Sequence, residues 1–307
     1  MDNRDFDVIV VGELNVDLIL TGDVVPVFGQ TEKLIDDATL TLGSSSAIFA
    51  CGAARLGLRV AFVGKVGDDE FGRFMIAQLQ ARQVDTSGVV IDPSIKTGLS
   101  VILSQPHDRA ILTHLGSIAA LHYPEIDQSL LARGRHLHLG SYFLLNALRA
   151  DIPTLFVAAH RYGMTTSLDT NYDPAETWDG GLHDVLAHTD LFLPNEIELR
   201  AITGTQEIPA ALSTLATGER LVAVKLGADG ALVRRQGETV SAPSMVMDVV
   251  DTSGAGDSFD AGFIYGHLAG WPVEQTVRFA CICGALSTRA AGGISAQATL
   301  AEAMAQM

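Results

Sequence analysis

The sequence predicts an α/β protein with a Rossmann-like, three-layer α/β/α core, a mostly parallel sheet and a small β-sheet lid. Three observations lead to this prediction. Apolar runs typical of buried strands alternate with helix-like stretches along most of the chain. Two stretches instead alternate apolar and polar residues, as antiparallel strands with one solvated face do. A loop of small residues also leads into an apolar helix near the carboxyl terminus.

The core elements follow from these runs in chain order. Strands are expected where short apolar runs end in glycine, aspartate or proline, and helices where the apolar period is longer. Strands separated by helices form βαβ units, and ligands bind at the carboxyl ends of such parallel strands. The predicted strands are FDVIVVG (6–12), RVAFVG (59–64), HLHLG (136–140), MTTSLD (164–169), DLFLP (190–194) and LVAVKLG (221–227), and the first helices are AIFACGAARLG (47–57) and DEFGRFMIAQLQARQ (69–83).

The lid is predicted from strands near 32–43 and 97–114. Residues 32–43, 97–104 and 109–114 alternate in polarity, and the turn QPHD (105–108) joins the last two. We see no repeat or long polar linker, so we expect one core domain over 1–307 with the lid over its active site. The edge strands of such a lid could pair between two chains, so a homodimer through the lid is one alternative.

Composition excludes several function classes. The net charge is −16, which disfavours nucleic acid and an anionic membrane surface as partners. No apolar run reaches the roughly 18 residues of a spanning helix, and the acidic start MDNRDFD lacks a signal-peptide core. Cys51, Cys281 and Cys283 are expected to be core thiols in a cytoplasmic protein.

The stretch DTSGAGDSFDAGFIYG (251–266) predicts an anion site. Small residues let backbone N–H groups approach a ligand, and the following helix adds unsatisfied N–H groups and a positive dipole end. Asp257 could then accept a proton from an alcohol, while Gly254, Ala255 and Gly256 stabilise the charge on a transferred phosphoryl group. The alternative is that Asp257 only caps the helix. Neither GxxxxGK nor a strand-linked GxGxxG is present.

The motif D-T-x-G-A-G-D at 251–257 resembles the carboxy-terminal signature of the PfkB-type carbohydrate kinases, the ribokinase family. Further matches are the amino-terminal signature at 43–72, PNEIE (194–198) and KLGADG (225–230). This resemblance implies a ribokinase-like fold and a Mg-ATP-dependent kinase that phosphorylates a hydroxymethyl group of a sugar-like substrate. Asp257 would be the catalytic base, with Gly254, Ala255 and Gly256 as the anion hole.

The resemblance also implies the nucleotide and metal residues. The ATP-binding candidates are Asn195, Lys225, Gly227, Gly230, Gly254, Gly256 and Cys281. Glu198 would help to place magnesium through water. Lys225 replaces a threonine frequent in the family, and it either reaches a phosphate or is solvated. In many members a potassium ion lies beside the anion loop, and the candidates for it here are Asp251, Ser253, Gly293 and Ser295.

On the sugar side, the resemblance implies that Asp17 accepts hydrogen bonds from sugar hydroxyls. Gly43 and Ser44 stand where the family has a Gly-Gly pair that lets the sugar approach the backbone, and Asp257 completes the substrate-binding set. Ile48 takes the place of a sugar-binding asparagine, a loss for which Ser44, Ser45 and Ser46 could compensate. Asp173 takes the place of a frequent arginine, which weakens the case for an anionic substrate; the lid offers Lys33, Lys96 and Arg109 in exchange.

Two alternatives stay open at this point. A nucleoside kinase of the same fold gains some weight from the apolar Ile48, and a catalytically silent nucleotide-binding regulator would fit the missing sugar contact. His136 and His138 alternate with leucines and are expected to be structural, whereas His107 and His114 belong to the lid hairpin, where His114 could face the substrate.

Overall fold

A computed structural model describes residues 4–105 and 108–307. The elements alternate between strand and helix over most of the chain. The strands are β1 (Phe6–Val11), β2 (Asn15–Thr21), β3 (Asp37–Leu42), β4 (Val60–Gly67), β5 (Asp85–Asp92), β6 (Gly98–Gln105), β7 (Asp108–His114), β8 (Gly134–Leu139), β9 (Thr165–Leu168), β10 (Leu191–Phe192), β11 (Leu221–Lys225), β12 (Ala231–Arg235) and β13 (Glu238–Ala242). The α-helices are α1 (Ser45–Arg55), α2 (Glu70–Ala81), α3 (Gln128–Leu131), α4 (Ile152–Arg161), α5 (Leu182–Leu186), α6 (Glu196–Thr203), α7 (Ile208–Leu215), α8 (Ala255–Leu268), α9 (Val273–Ser287) and α10 (Leu300–Met304).

The large sheet has the strand order β13-β12-β11-β10-β9-β8-β1-β4-β5 and is parallel except for β12 and β13. Alternate side chains of β1 enter two apolar cores on opposite faces: Val8 and Val10 pack with α1, α8 and α9, whereas Ile9 and Val11 pack with α4 and α5. Helices therefore cover both faces, and the predicted three-layer α/β/α fold with a mostly parallel sheet is confirmed. All six predicted core strands are present.

The second sheet has the order β3-β2-β6-β7. Of the range 32–43 only Asp37–Leu42 is a strand, because its partner β2 ends at Thr21, opposite Asp37. The central strand β2 was not predicted; it follows β1 after three residues, and its alternation is short. The tip of the predicted hairpin turn, with His107, lies outside the described residues.

The register of this second sheet sorts its side chains onto two faces. Asp17 pairs with Ser100, and Ser100 with Thr113, so these side chains share one face. The opposite face is apolar and partly exposed, and it carries Leu18, Leu20, Leu40, Val101, Leu103 and Leu112. His114 belongs to this opposite face, so it does not point toward Asp17.

The three cysteines are free and buried, as expected from the sequence. Within residues 4–105 and 108–307, no helix is both long and apolar enough to cross a membrane.

Candidate active site

The loop before α8 is held in one conformation by its neighbours. Asp251 accepts hydrogen bonds from the backbone N–H groups of Ser253 and Gly292, both at 2.9 Å, and so ties two loops together. Gly254 is the N-cap of α8 with φ +71°, and a Cβ there would lie 2.7 Å from the Cα of Gly293. Only glycine fits this combination of positive φ and close backbone approach.

The first turn of α8 offers backbone donors. The N–H of Ala255 already donates to the carbonyl of Thr252 at 3.2 Å. Among the described residues, the N–H groups of Gly256 and Asp257 donate to no other group, as is usual for the first turn of a helix. The turn therefore presents two free donors and a positive dipole end to the space in front of it.

Asp257 lies in this first turn and is buried. Burial, with the nearby charge of Asp169, raises the pKa of its carboxyl to about 7, against a hydrogen bond from Ser45. The cap of α8 is Gly254, and no side chain caps this helix. The carboxyl of Asp257 therefore has a different role from the helix cap that the sequence left open as an alternative.

Lys225 ends β11 directly behind the anion loop. Its Nζ lies 2.7 Å from Oδ2 of Asp169 and 3.1 Å from Oδ2 of Asp260, and the side chain is 12% exposed. Burial alone would lower the pKa of this ammonium, but the two carboxyl groups raise it above its ordinary value. The alternative of a solvated lysine is therefore wrong, because both acids hold the side chain inside.

Asp169 and Asp260 lie together against Lys225. Burial raises the pKa of Asp260 well above its usual range, and Asp260 hydrogen bonds to Asp169, whose pKa is lowered chiefly by Lys225 against its own burial. The two acids are therefore shifted in opposite directions. The ammonium of Lys225 compensates the negative charge of Asp169, which makes the burial of the cluster tolerable.

Asn195 and Glu198 form a reciprocal capping box at the start of α6. The side-chain carbonyl of Asn195 accepts from the N–H of Glu198 at 2.9 Å, and Glu198 accepts from the N–H of Asn195 at 3.0 Å. Burial and the charge of Asp169 raise the pKa of Glu198 to about 7. Both oxygens of Glu198 accept hydrogen bonds from Asn195. Glu198 could therefore bind a metal through a water molecule more readily than as a direct ligand.

Five of the seven nucleotide candidates line one cavity of about 420 Å³: Lys225, Gly227, Gly230, Gly256 and Cys281. Asn195 and Gly254 are not part of this lining. Gly227 and Gly230 both have positive φ, and a Cβ on Gly230 would meet the carbonyl of Ala242 at 2.0 Å. The volume and the mostly apolar lining with the charged Lys225 suit a nucleotide.

Asp17 lies on β2 beside Gly43. Its Oδ1 accepts a hydrogen bond from Nδ2 of Asn15 at 2.9 Å, and a Cβ on Gly43 would lie 2.1 Å from the same oxygen. Burial, and to a lesser degree the charge of Glu13, raise the pKa of Asp17 to about 7. The carboxyl of Asp17 can therefore lie against the backbone only because residue 43 is a glycine, since any side chain there would overlap it.

All three serines at 44–46 already have partners. Ser44 has φ +71°, caps α1 and donates to the carbonyl of Glu13 at 2.6 Å. Ser46 donates to Oε2 of Glu13 at 2.5 Å. Ser45 is the serine that contacts Asp257. Ser44 thus contributes its backbone geometry, as the glycine it replaces would, and its hydroxyl is not available to a sugar.

Ile48 packs beneath the anion loop. Its side chain is 6% exposed, and a Cβ on Gly254 or Gly293 would come within 2.9 or 2.5 Å of it. It supports the loop that carries Asp257. Because so little of the side chain is exposed, its main contribution is to the packing of this loop.

Asp173 organises its own loop. Its carboxylate accepts hydrogen bonds from the backbone N–H groups of Ala175, Thr177 and Trp178 at 2.7–2.9 Å. The aspartate therefore stabilises a turn, and it does not place a negative charge in the site.

The potassium candidates meet on adjacent loops. Asp251 already accepts two backbone hydrogen bonds, the hydroxyl of Ser253 accepts from Arg109 at 2.9 Å, and Gly293 packs on Ile48. Ser295 lies beside Gly292. In the part of the chain that the structure describes, no cluster of three or more His, Cys, Asp or Glu side chains could hold a metal.

Comparisons with known proteins show the family of this chain. The family model of the pfkB family carbohydrate kinases matches residues 5–300. The chain belongs to this PfkB family. It is therefore a phosphotransferase with an alcohol acceptor, of the kind that includes sugar and nucleoside kinases.

Individual relatives cover most of the chain. An uncharacterized sugar kinase of Archaeoglobus fulgidus is 32% identical over 74% of this chain and 90% of its own. The ATP-dependent ribose-1-phosphate kinase of Halopiger xanaduensis is 31% identical over 93% of both chains. The structure of adenosine kinase from Sinorhizobium meliloti has a TM-score of 0.86 at 25% identity and covers 98% of this chain and 99% of its own.

Sequence reasoning missed two buried carboxyl groups of this PfkB kinase. Asp260 lies one turn after Asp257 on α8, and the period of the helix could have placed both on one face. Glu13, which is 2% exposed, accepts from Ser46 and from Ser141 and holds the start of α1 near the site. No motif singles it out, because its partners come from distant parts of the chain.

We expect Lys225→Met to destabilise this kinase by about 3–5 kcal/mol at neutral pH, because Asp169 would be left as an uncompensated buried charge. Urea unfolding measures this loss, and adding Asp169→Asn should recover part of it. Lys65→Met is a matched control, since the partners of Lys65, Asp92 and Glu125, are 27% and 29% exposed and can be resolvated. Equal losses for the two lysines would contradict a special role for the Lys225 cluster.

Proposed function

We propose that this chain is an ATP-dependent carbohydrate kinase that phosphorylates a hydroxymethyl group of a sugar or sugar-like substrate, with Asp257 as the general base. The observation that carries the proposal is Asp257 itself. It is a buried carboxyl with a pKa raised to about 7, and it lies in the first turn of a helix that also offers free backbone N–H groups. A base needs a pKa near the working pH, and an oxyanion needs preorganised donors.

In the proposed reaction, Asp257 accepts the proton of the acceptor hydroxyl as that oxygen attacks. ATP, when bound, supplies the phosphoryl group. The N–H groups of Gly256 and Asp257, which the turn at Gly254 holds in position, stabilise the charge on the transferred group. Ile48 holds this turn in place from below.

The nucleotide would occupy the 420 Å³ cavity, with its base against Cys281 and its phosphates toward Lys225 and Gly256. The Nζ of Lys225 lies 3.6 Å from the position of a Cβ on Gly256, so its charge is next to the expected phosphate path. Magnesium fits the acidic side of the site through water held by Glu198 and Asn195. Potassium beside Asp251 and Ser253 would need carbonyl ligands, since their side chains are engaged.

The acceptor would lie between the two sheets, bound by Asp17 and close to the backbone at Gly43. The second sheet then acts as a lid that excludes water, so that ATP is not hydrolysed without an acceptor. The relatives act by name on ribose 1-phosphate and on adenosine. A sugar is favoured over a nucleoside here, because Ile48 supports the anion loop and adds no apolar wall. ATP and three free thiols suit a cytoplasmic location.

Asp257→Asn tests the proposed base. Asparagine keeps the size but cannot accept the proton, so kcat should fall by about 10²–10⁴ while ATP affinity and melting temperature persist. Coupled ADP release, calorimetric ATP binding and thermal unfolding give the three readouts. An equally active and equally stable variant would sink the assignment.

The pH profile offers an independent check. Because the pKa of Asp257 is raised to about 7, the base is ionised above that pH and protonated below it. kcat/KM should therefore fall about tenfold per pH unit below pH 7, since the free enzyme's base governs this quantity. A kcat/KM that stays constant down to pH 5 would contradict an Asp257 base with this pKa.

We further propose a homodimer through the lid. The face of the second sheet that turns away from Asp17 carries Leu18, Leu20, Leu40, Val101, Leu103 and Leu112. Leu40 and Leu112 are 42% and 61% exposed. A contiguous apolar strand surface of this kind is costly in water and is self-complementary across a twofold axis.

Leu112→Lys should convert a two-chain species into a single chain, because the charge would be buried at the interface. Sedimentation equilibrium of the wild type and variant measures this, with thermal unfolding as a check on folding. Ile91→Lys on β5 is the matched control, since Ile91 is 55% exposed on the large sheet. A wild-type enzyme that sediments as a single chain would show that the apolar face has another role.

A further inference from the structure

Arg109 crosses from the lid to the anion loop. It pairs with Ser104 on β6, four residues before Thr113, so it lies on the same face of the second sheet as Asp17. Its Nη1 donates to the hydroxyl of Ser253 at 2.9 Å, a contact between residues 144 positions apart. The guanidinium therefore lies between the face of the lid that carries Asp17, the proposed sugar-binding residue, and the loop that leads into α8.

This contact leaves most of the guanidinium unused. An arginine has five N–H donors in a planar fork suited to a carboxylate or phosphate. Within residues 4–105 and 108–307, Arg109 has no carboxylate within ion-pair distance, although its charge is close enough to lower the pKa values of Asp17 and Asp251. A neutral serine hydroxyl is its partner.

The other two cationic residues proposed for the lid, Lys33 and Lys96, are not placed as Arg109 is. Lys33 is bound to Asp23 at 2.6 Å and to the carbonyl of Val25. Lys96 precedes β6 and is exposed outside the sheet. Arg109 is also absent from the described lining of the nucleotide cavity. It faces the acceptor and not the nucleotide.

We propose that Arg109 binds an oxyanion carried by the acceptor, so that the substrate class is a sugar bearing a carboxylate or a phosphate away from the hydroxymethyl group that is phosphorylated. This inference rests on the proposed kinase function and deepens it. Asp173 has no part in this recognition, because it holds its own turn. Arg109 of the lid thus takes over the role of the arginine that is frequent in the family at the position of Asp173.

The test compares acceptors that share one hydroxymethyl group and differ in charge: ribose, ribonate and ribose 1-phosphate, with the corresponding hexose, hexonate and hexose phosphate. The wild type should show its highest kcat/KM on a charged member, and the carboxylate and phosphate arms identify which oxyanion is bound. Arg109→Gln should lower kcat/KM for that acceptor about 10- to 100-fold, mainly through KM. Arg109→Lys should recover part of it.

The controls separate this role from others. Lys33→Gln should leave all acceptors unchanged, and Arg109→Gln should change the KM for ATP and the turnover of the neutral sugars less than twofold. A wild type that prefers the neutral sugars, or an Arg109→Gln variant that loses all acceptors equally, would overturn the inference while the kinase function stands. No ADP release with any acceptor would instead count against the proposed function, and the inference would fall with it.

Discussion

The buried contact between Lys225 and its two acids is the interaction on which the rest of the site depends. Lys225 ends β11, Asp169 follows β9, and Asp260 lies on α8, so one ammonium joins two strands of the large sheet to the helix that carries Asp257. Buried charges are tolerated only as well-bonded pairs. The positions of the anion loop and of the carboxyl ends of the strands are therefore set together.

The charge balance of this cluster extends to the neighbouring carboxyl groups. Asp169 remains ionised beside Lys225, and its charge adds to burial in raising the pKa values of Asp257 and Glu198. A single ion pair thus affects both the proposed base and the capping box on the expected magnesium side. Apolar packing also holds the site in place, because Ile48 lies against the backbone at Gly254 and Gly293.

In the proposed function, the two sheets contribute different parts of the site. The large sheet and its helices supply the small-residue loop before α8, the cavity proposed for the nucleotide and the ion cluster. The second sheet has Asp17 and Arg109 on one face and an apolar surface on the other. If the two proposals for this sheet hold, acceptor binding and dimer formation are linked, because both depend on the same four strands.

The sequence by itself determined the fold class, six of the nine strands of the large sheet and the small-residue loop that leads into α8, because these rest on local periodicity and on short motifs of small residues. It also placed Gly43, Asp17 and Asp257, through resemblance to a family. Only the tertiary structure decided what Lys225, Ile48, Ser44 and Asp173 do. Some of these side chains contact residues that are far away in sequence, and others bond within their own loop. The spacing of residues in the sequence does not predict which of the two occurs. The same holds for Glu13 and Asp260, whose burial is a property of the packed chain.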